Sequence, residues 1–253
     1  MTAFSQYPVE GGNLRRVLLI AFLLLPATIL TAGDRDAAPV SPPAGTTISG
    51  TITITKAETP EEAVRRFTQL NRYAVSKAAA LDAQGGSQGV RPMSDKAVVF
   101  LEGGKLNKQK YPTPTRRPLL DQKDMMFHPR VLAIMEGTTV DFPNKDVVFH
   151  NVFSYSGPRE FDLGRYPKGD SRSVRFDAPG IIRVYCDIHA HMNATIIVLE
   201  HPFFAVPDES GKYSIENVPD GEYTLTFWYD RDVVSRKPVT ILNGAAVTMD
   251  LQY

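Results

Sequence analysis

Apolar residues in this chain recur mostly at every second position, in short runs broken by Gly, Pro, Asn and Asp. That period and punctuation are those of β-strands and tight turns. Residues Thr47–Thr55 alternate Ile48, Ile52 and Ile54 with Thr and Ser, and Lys96–Leu101 is a short apolar strand. From Arg130 onward nearly every segment reads the same way. One stretch departs from it. Thr59 is placed as an N-cap, Pro60 takes the first helical position, and Glu62 completes a capping box. Ala63, Phe67, Leu70, Ala74 and Leu81 follow at helical spacing, so a helix is expected over about 60–82, released by Gly85-Gly86-Ser87. The expected class is therefore all-β with one helix. Between strands, the polar stretch Gly103–Arg117 carries Lys105, Lys108, Lys110, Arg116 and Arg117 and reads as solvated surface. Docking of an acidic partner is its functional alternative.

The N-terminus has a different pattern. Arg15 and Arg16 precede a 14-residue apolar run from Val17 to Leu30, followed by small residues and the charged Gly33-Asp34-Arg35. This is the layout of an export signal, with cleavage expected after Ala32. A membrane-spanning helix takes about 20 apolar residues, and this shorter run contains Pro26. Leu30 stands where signal cleavage favours a small residue, which keeps an uncleaved membrane tether open. Residues 33–46, rich in Pro and Ala, read as a spacer.

A length of 253 residues and a hydrophobic fraction of 43% suffice for two small domains. Lys plus Arg and Asp plus Glu number 28 each, so net charge gives no reason to expect a nucleic acid as partner. Export normally accompanies disulfides, yet the chain has one cysteine, Cys186, which cannot close an internal bridge. A buried inert thiol, an intermolecular disulfide and a metal ligand are the three available explanations.

The neighbours of Cys186 favour the third. Cys186-Asp187-Ile188-His189-Ala190-His191-Met192 puts a thiol, two imidazoles and a thioether within seven residues, after the alternating strand Ile182, Val184. Soft sulfur combined with imidazole selects copper, and two His, one Cys and a distant Met form the blue-copper electron-transfer set. The loop supplies Cys, one His and Met. The second nitrogen ligand must come from elsewhere, and His150 in His150-Asn151-Val152-Phe153 is the candidate.

Several further motifs share this order along the chain: Phe127-His128-Pro129, Gly137-Thr138-Thr139-Val140-Asp141-Phe142-Pro143-Asn144, Asp146, Phe176-Asp177-Ala178-Pro179-Gly180 and Val184-Tyr185-Cys186. Together, over Leu119–Leu199, they resemble the plastocyanin-like cupredoxins. The Cys-x-x-His-x-x-Met spacing is most similar to the short loop of amicyanin. The resemblance implies a Greek-key β-sandwich binding one copper ion through His150, Cys186, His189 and Met192, with Asn151 tying the His150 strand to the ligand loop. His191 is the alternative nitrogen ligand by azurin-like spacing, although Met192 follows it too closely for that pattern. It is otherwise a surface or supporting histidine. Met125, Met126 and His128 are a second group of soft side chains, read as core packing with transient Cu(I) binding as the alternative. His201 has no assigned role.

Past the last of these strands, Asp208-Glu209-Ser210-Gly211-Lys212-Tyr213 and Val218-Pro219-Asp220-Gly221-Glu222-Tyr223 resemble the carboxypeptidase-regulatory-like, or transthyretin-like, sandwich. The opening strand of that module looks like Gly45-Thr46-Thr47-Ile48-Ser49-Gly50-Thr51-Ile52. The expected organisation is a signal peptide 1–32, a linker 33–46, a first part of this sandwich at 47–118, a cupredoxin domain at 119–200 and the rest of the sandwich at 201–253. The cupredoxin would then be inserted in, or stand next to, a second Ig-like sandwich.

These readings imply a periplasmic, non-enzymatic electron carrier that cycles copper between Cu(I) and Cu(II). It would meet a redox protein partner but no nucleic acid or small-molecule substrate. Copper delivery and a non-redox envelope-binding module are the alternatives. Copper enzymes need additional histidines for a second centre, and this chain has five in all.

Overall fold

The structure, a computed structural model, describes residues 45–55 and 92–253. The expected export segment, nearly all of the linker and the expected helix at 60–82 lie outside the described residues.

In chain order the elements begin with β1 (Thr46–Thr53), a single-turn helix α1 (Met93–Lys96) and β2 (Ala97–Glu102). Nine strands follow: β3 (Asp121–Lys123), β4 (Met126–His128), β5 (Val131–Met135), β6 (Thr138–Pro143), β7 (His150–Ser156), β8 (Arg159–Tyr166), β9 (Ser171–Phe176), β10 (Gly180–Tyr185) and β11 (Asn193–Leu199). The last six are β12 (Phe204–Ala205), β13 (Lys212–Val218), β14 (Gly221–Tyr229), β15 (Asp232–Ile241), β16 (Val247–Thr248) and β17 (Leu251–Gln252). The described residues are thus all-β apart from α1 and a 3₁₀ turn at Leu106–Lys108.

Strands β3 to β11 build a central body. Its main sheet runs β5-β11-β10-β7-β8, with β5 and β11 parallel, and the pair β6-β9 with the hairpin β3-β4 closes the other side. Alternation decides what goes inside. Ile182 and Val184 on β10 point inward with Cys186, whereas Ile181, Arg183 and Tyr185 point outward. Phe127, Phe142, Val152, Tyr166, Phe176 and Ile196 complete this core.

Strands flanking the central body in sequence pair with one another. β1 runs antiparallel to β13 and parallel to β16 and β17, while β2 lies between β12 and β14 in the order β12-β2-β14-β15. Chain segments on either side of residues 119–200 therefore share two sheets around one apolar core that includes Ile48, Val99, Leu101, Ile215, Leu225 and Phe227.

A third, smaller core joins the two bodies. Ala97, Val99 and Leu101 of β2 face the flanking core, while Val98 and Phe100 turn the other way to meet Val131, Ala133, Ile197 and Trp228. On β11, Ala194, Ile196 and Val198 face the central core and Ile197 faces the joint. Ala97–Leu101 and Ile196–Leu199 are continuously apolar because both faces of each strand are covered.

Two local readings need correction. The segment Gly103–Arg117 is not wholly solvated surface, because Leu106 is buried in the flanking core and Tyr111 packs edge-on to Phe203 at 5.7 Å. A polar sequence hid two anchoring side chains. Met125 is not core packing either: it is exposed, with φ 56°, on the turn between β3 and β4.

Candidate metal centre

The ligand loop is the β10–β11 connection, kept short by its own backbone. The Cys186 N–H donates to the Met192 carbonyl at 3.3 Å and the Met192 N–H donates to the His189 carbonyl at 2.9 Å. The inward parity of Ile182 and Val184 extends to Cys186, which is buried beneath the loop. Met192 is 1% exposed and belongs to the same core.

His150 opens β7 on the neighbouring strand and is fully buried, with the parity of Val152. Ligand atoms of His150, Cys186 and His189 all lie within 4.8 Å of one another, in the one such group among the described residues. Nδ1 of His150 stands 3.0 Å from Nδ1 of His189, and Cys186 Sγ stands 3.8 Å from the latter. Two imidazole nitrogens and a thiol thus converge on one point at the end of an apolar core.

The far side of His150 fixes its tautomer. Its Nε2 lies 2.8 Å from the Asp146 carboxylate. An ionised carboxylate only accepts, so Nε2 carries the proton and Nδ1 presents its lone pair toward Cys186 and His189. Asp146 is held in turn by the backbone N–H groups of Asp124 at 2.7 Å and Met125 at 2.8 Å, where the β3–β4 turn passes through positive φ at both residues. Burial works to raise the Asp146 carboxyl pKa, but the hydrogen bonds from His150, Met125 and Asp124 outweigh it and the net shift is downward. Asn144 sets the loop that carries Asp146. It donates to the carbonyls of Val148 at 2.9 Å and Tyr166 at 3.0 Å and accepts the Asp146 N–H at 2.9 Å.

His189 is partly exposed. Its pKa is lowered, first by burial and then by the nearby His150 and His191, which favours the neutral ring that a metal requires. Asn151 accepts the Asp187 N–H at 3.3 Å and donates to Asp162 at 2.6 Å, so it links β7 to the residue after Cys186 in the ligand loop and to β8.

His191 is not in the converging group. Its ring centroid is 6.1 Å from that of His189, and its carbonyl accepts the Asn193 side chain at 2.9 Å. His128 pairs with Asp95 at 3.4 Å. His201 is buried where the chain passes from β11 to the flanking body, accepting the Phe203 N–H at 3.3 Å. Asp146 as the partner of His150 was not legible in sequence, because a loop gives four-residue spacing no fixed meaning.

Residues 118–199 match the model of the copper binding proteins of the plastocyanin/azurin family. This stretch is a cupredoxin domain. Its cofactor is a single copper ion, and the donor set fits that ion, with soft sulfur and paired imidazoles in one place. Among solved structures, a Cu-containing nitrite reductase from Thermus scotoductus SA-01 is 26% identical over 38% of this chain, with a TM-score of 0.33. The chain spans only 26% of that enzyme's length. A purple cupredoxin from Nitrosopumilus maritimus is 28% identical over 30% of this chain and 84% of its own, with a TM-score of 0.28. A Cu(I) amicyanin variant is 21% identical over 33% and 82%, with a TM-score of 0.31. No curated protein matches the chain.

Proposed function

We propose that the chain is an exported type 1 copper protein that passes single electrons between redox protein partners, with His150, Cys186, His189 and Met192 as ligands. The convergence of His150, Cys186 and His189 at the edge of the cupredoxin core carries this reading. Copper supplies the one-electron Cu(II)/Cu(I) couple. The residues supply a nearly fixed cage: Cys186 and Met192 are locked at the two ends of a hydrogen-bonded loop, and His150 is held by Asp146. A cage that changes little keeps the reorganisation on each transfer small.

His189 is the electron port in this proposal. It is the partly exposed member of the set, and Ile188, Val147, Val148 and Phe149 are exposed on the loops bearing His189 and His150. Burial of the other three proposed ligands argues against copper delivery, since a recipient must reach the donor atoms. The non-enzyme reading rests on the histidine inventory. Of the five, His128 and His201 are engaged elsewhere, and no other group of three His, Cys, Asp or Glu converges among the described residues. Residues 47–118 and 201–253 are read as one sandwich split by the cupredoxin domain, supported by the pairing of β1 with β13 and β2 with β14. Periplasmic location rests on the apolar run at 17–30.

The test is the visible spectrum of the Cu(II)-loaded mature protein. A strong thiolate-to-copper band near ~600 nm, lost in Cys186→Ser and kept in His191→Ala, is expected. Its absence from the unaltered protein overturns the electron-carrier reading.

A further inference from the structure

The ligand loop is held from outside the cupredoxin domain. Asn193, the first residue of β11, donates from Nδ2 to the His191 carbonyl at 2.9 Å. Its Oδ1 accepts from Arg231 Nη2 at 3.2 Å. Arg231 belongs to the turn between β14 and β15, part of the flanking body.

That turn is fixed on every side. Asp230 pairs with Arg130, and its N–H donates to the Lys96 carbonyl at 2.8 Å. The Arg231 carbonyl accepts from Arg183 Nη2 at 2.6 Å. Arg183 lies over the Trp228 ring at 5.3 Å and donates to Thr195 Oγ1 at 2.7 Å. Arg183 and Asn193 stand on the two strands joined by the ligand loop, so the flanking turn grips both arms of that hairpin. Burial lowers the pKa of the Arg183 and Arg231 guanidinium groups, so neither charge is freely hydrated.

We propose that Arg231 is a positioning residue for the metal loop: through Asn193 it fixes the His191–Met192 peptide, and with it the direction of the Met192 side chain. The consequence for copper rests on the reading above, but the brace exists without the metal. A thioether is a weak copper ligand, so the placement of Met192 would be set by the polypeptide more than by a bond to the ion, and ties around it would tune the site.

The test uses the full chain with Arg231→Ala, Asn193→Ala and Arg231→Lys, and Arg236→Ala as control. Arg236 pairs with Glu102 at 3.1 Å, away from the loop. In metal-free protein, exchange of the Met192 and Cys186 amides, relative to the Ile196 amide in the core, is expected to rise about tenfold in the two alanine variants. Arg231→Lys recovers part of it, and the control does not move. In Cu(II)-loaded protein the alanine variants shift the visible band ratio and the reduction potential. Asn193→Ala leaves the Arg130–Asp230 pair intact, so a folding defect in Arg231→Ala does not remove the test. Equal Met192-to-Ile196 exchange ratios in unaltered protein and both alanine variants overturn the proposal. A missing blue band with the exchange result intact overturns only the copper reading.

Discussion

The two cores of this protein bury similar amounts of apolar side chain but finish differently. The flanking core is apolar nearly throughout, with Thr46 and His201 buried beside it and Thr226 buried on the other face of β14. The cupredoxin core turns polar toward the metal loop, where Gln122, Asn144, Tyr166, His150 and Asn151 are all buried. Tyr166 donates to the Phe142 carbonyl at 2.8 Å and accepts from Gln122 at 2.6 Å, and burial pushes its hydroxyl pKa well up. Asn144, Tyr166, His150 and Asn151 are all paired, and pairing makes the region rigid, although Gln122 Oε1 is buried without a partner. The converging side chains are thus held by hydrogen bonds behind them, and cohesion comes from apolar area elsewhere.

The largest effects should fall alike on both bodies. Phe142→Ala and Phe227→Ala, one in each core, should each cost about 3–5 kcal/mol of unfolding free energy. Because Val98, Phe100, Ile197 and Trp228 join the bodies, denaturant melts of metal-free protein should show one transition for either variant. Two separate transitions would break the picture of a shared joint.

Polar truncations should separate the bodies. Tyr166→Phe leaves the Phe142 carbonyl and the Gln122 amide with only their mutual bond at 3.3 Å and should cost about 1–3 kcal/mol. Thr226→Val removes a bond to Glu102, which is partly exposed and finds water instead, so its cost should stay below about 1 kcal/mol. Equal losses would mean that polarity near the metal is no better organised than in the flanking sheet.

A smaller effect appears in pH dependence. His201 has a lowered pKa, first because burial penalises its charged form, against weaker opposition from backbone hydrogen bonds including one with Leu101. The unfolded chain therefore takes up a proton near pH 6.5 that native His201 refuses, and stability falls as pH drops from about 6.5 toward the lowered native value. Above that window this contribution is constant. Unfolding free energies at a series of pH values should show a shallower acid loss in His201→Gln, by at most about 1.4 kcal/mol per pH unit within the window. His189 contributes with the same sign in the metal-free protein, so His189→Ala should flatten the curve too. The smallest change is expected at Val147, 84% exposed, where Val147→Ser should leave stability within about 0.5 kcal/mol while slowing electron exchange with a partner.

Much of this was legible without coordinates, because it depends on parity and spacing. Strand period placed Ile182, Val184 and Cys186 on one face. A seven-residue loop carrying Cys, His and Met left few ways to arrange its donors, and His150 shares the inward parity of Val152. The all-β class followed from the same alternation. Hidden in the sequence were contacts that join distant segments through loops, where position along the chain carries no direction. Asp146 meets His150 only because Asn144 and the positive-φ turn at Asp124 and Met125 shape two loops against each other. Leu106 and Tyr111 anchor a stretch whose composition is polar. The doubly buried faces of β2 and β11, and the reach of Arg231 to Asn193, exist only once two bodies have packed. Local periodicity fixes which way a side chain points from its own strand, and tertiary packing alone decides what it meets there.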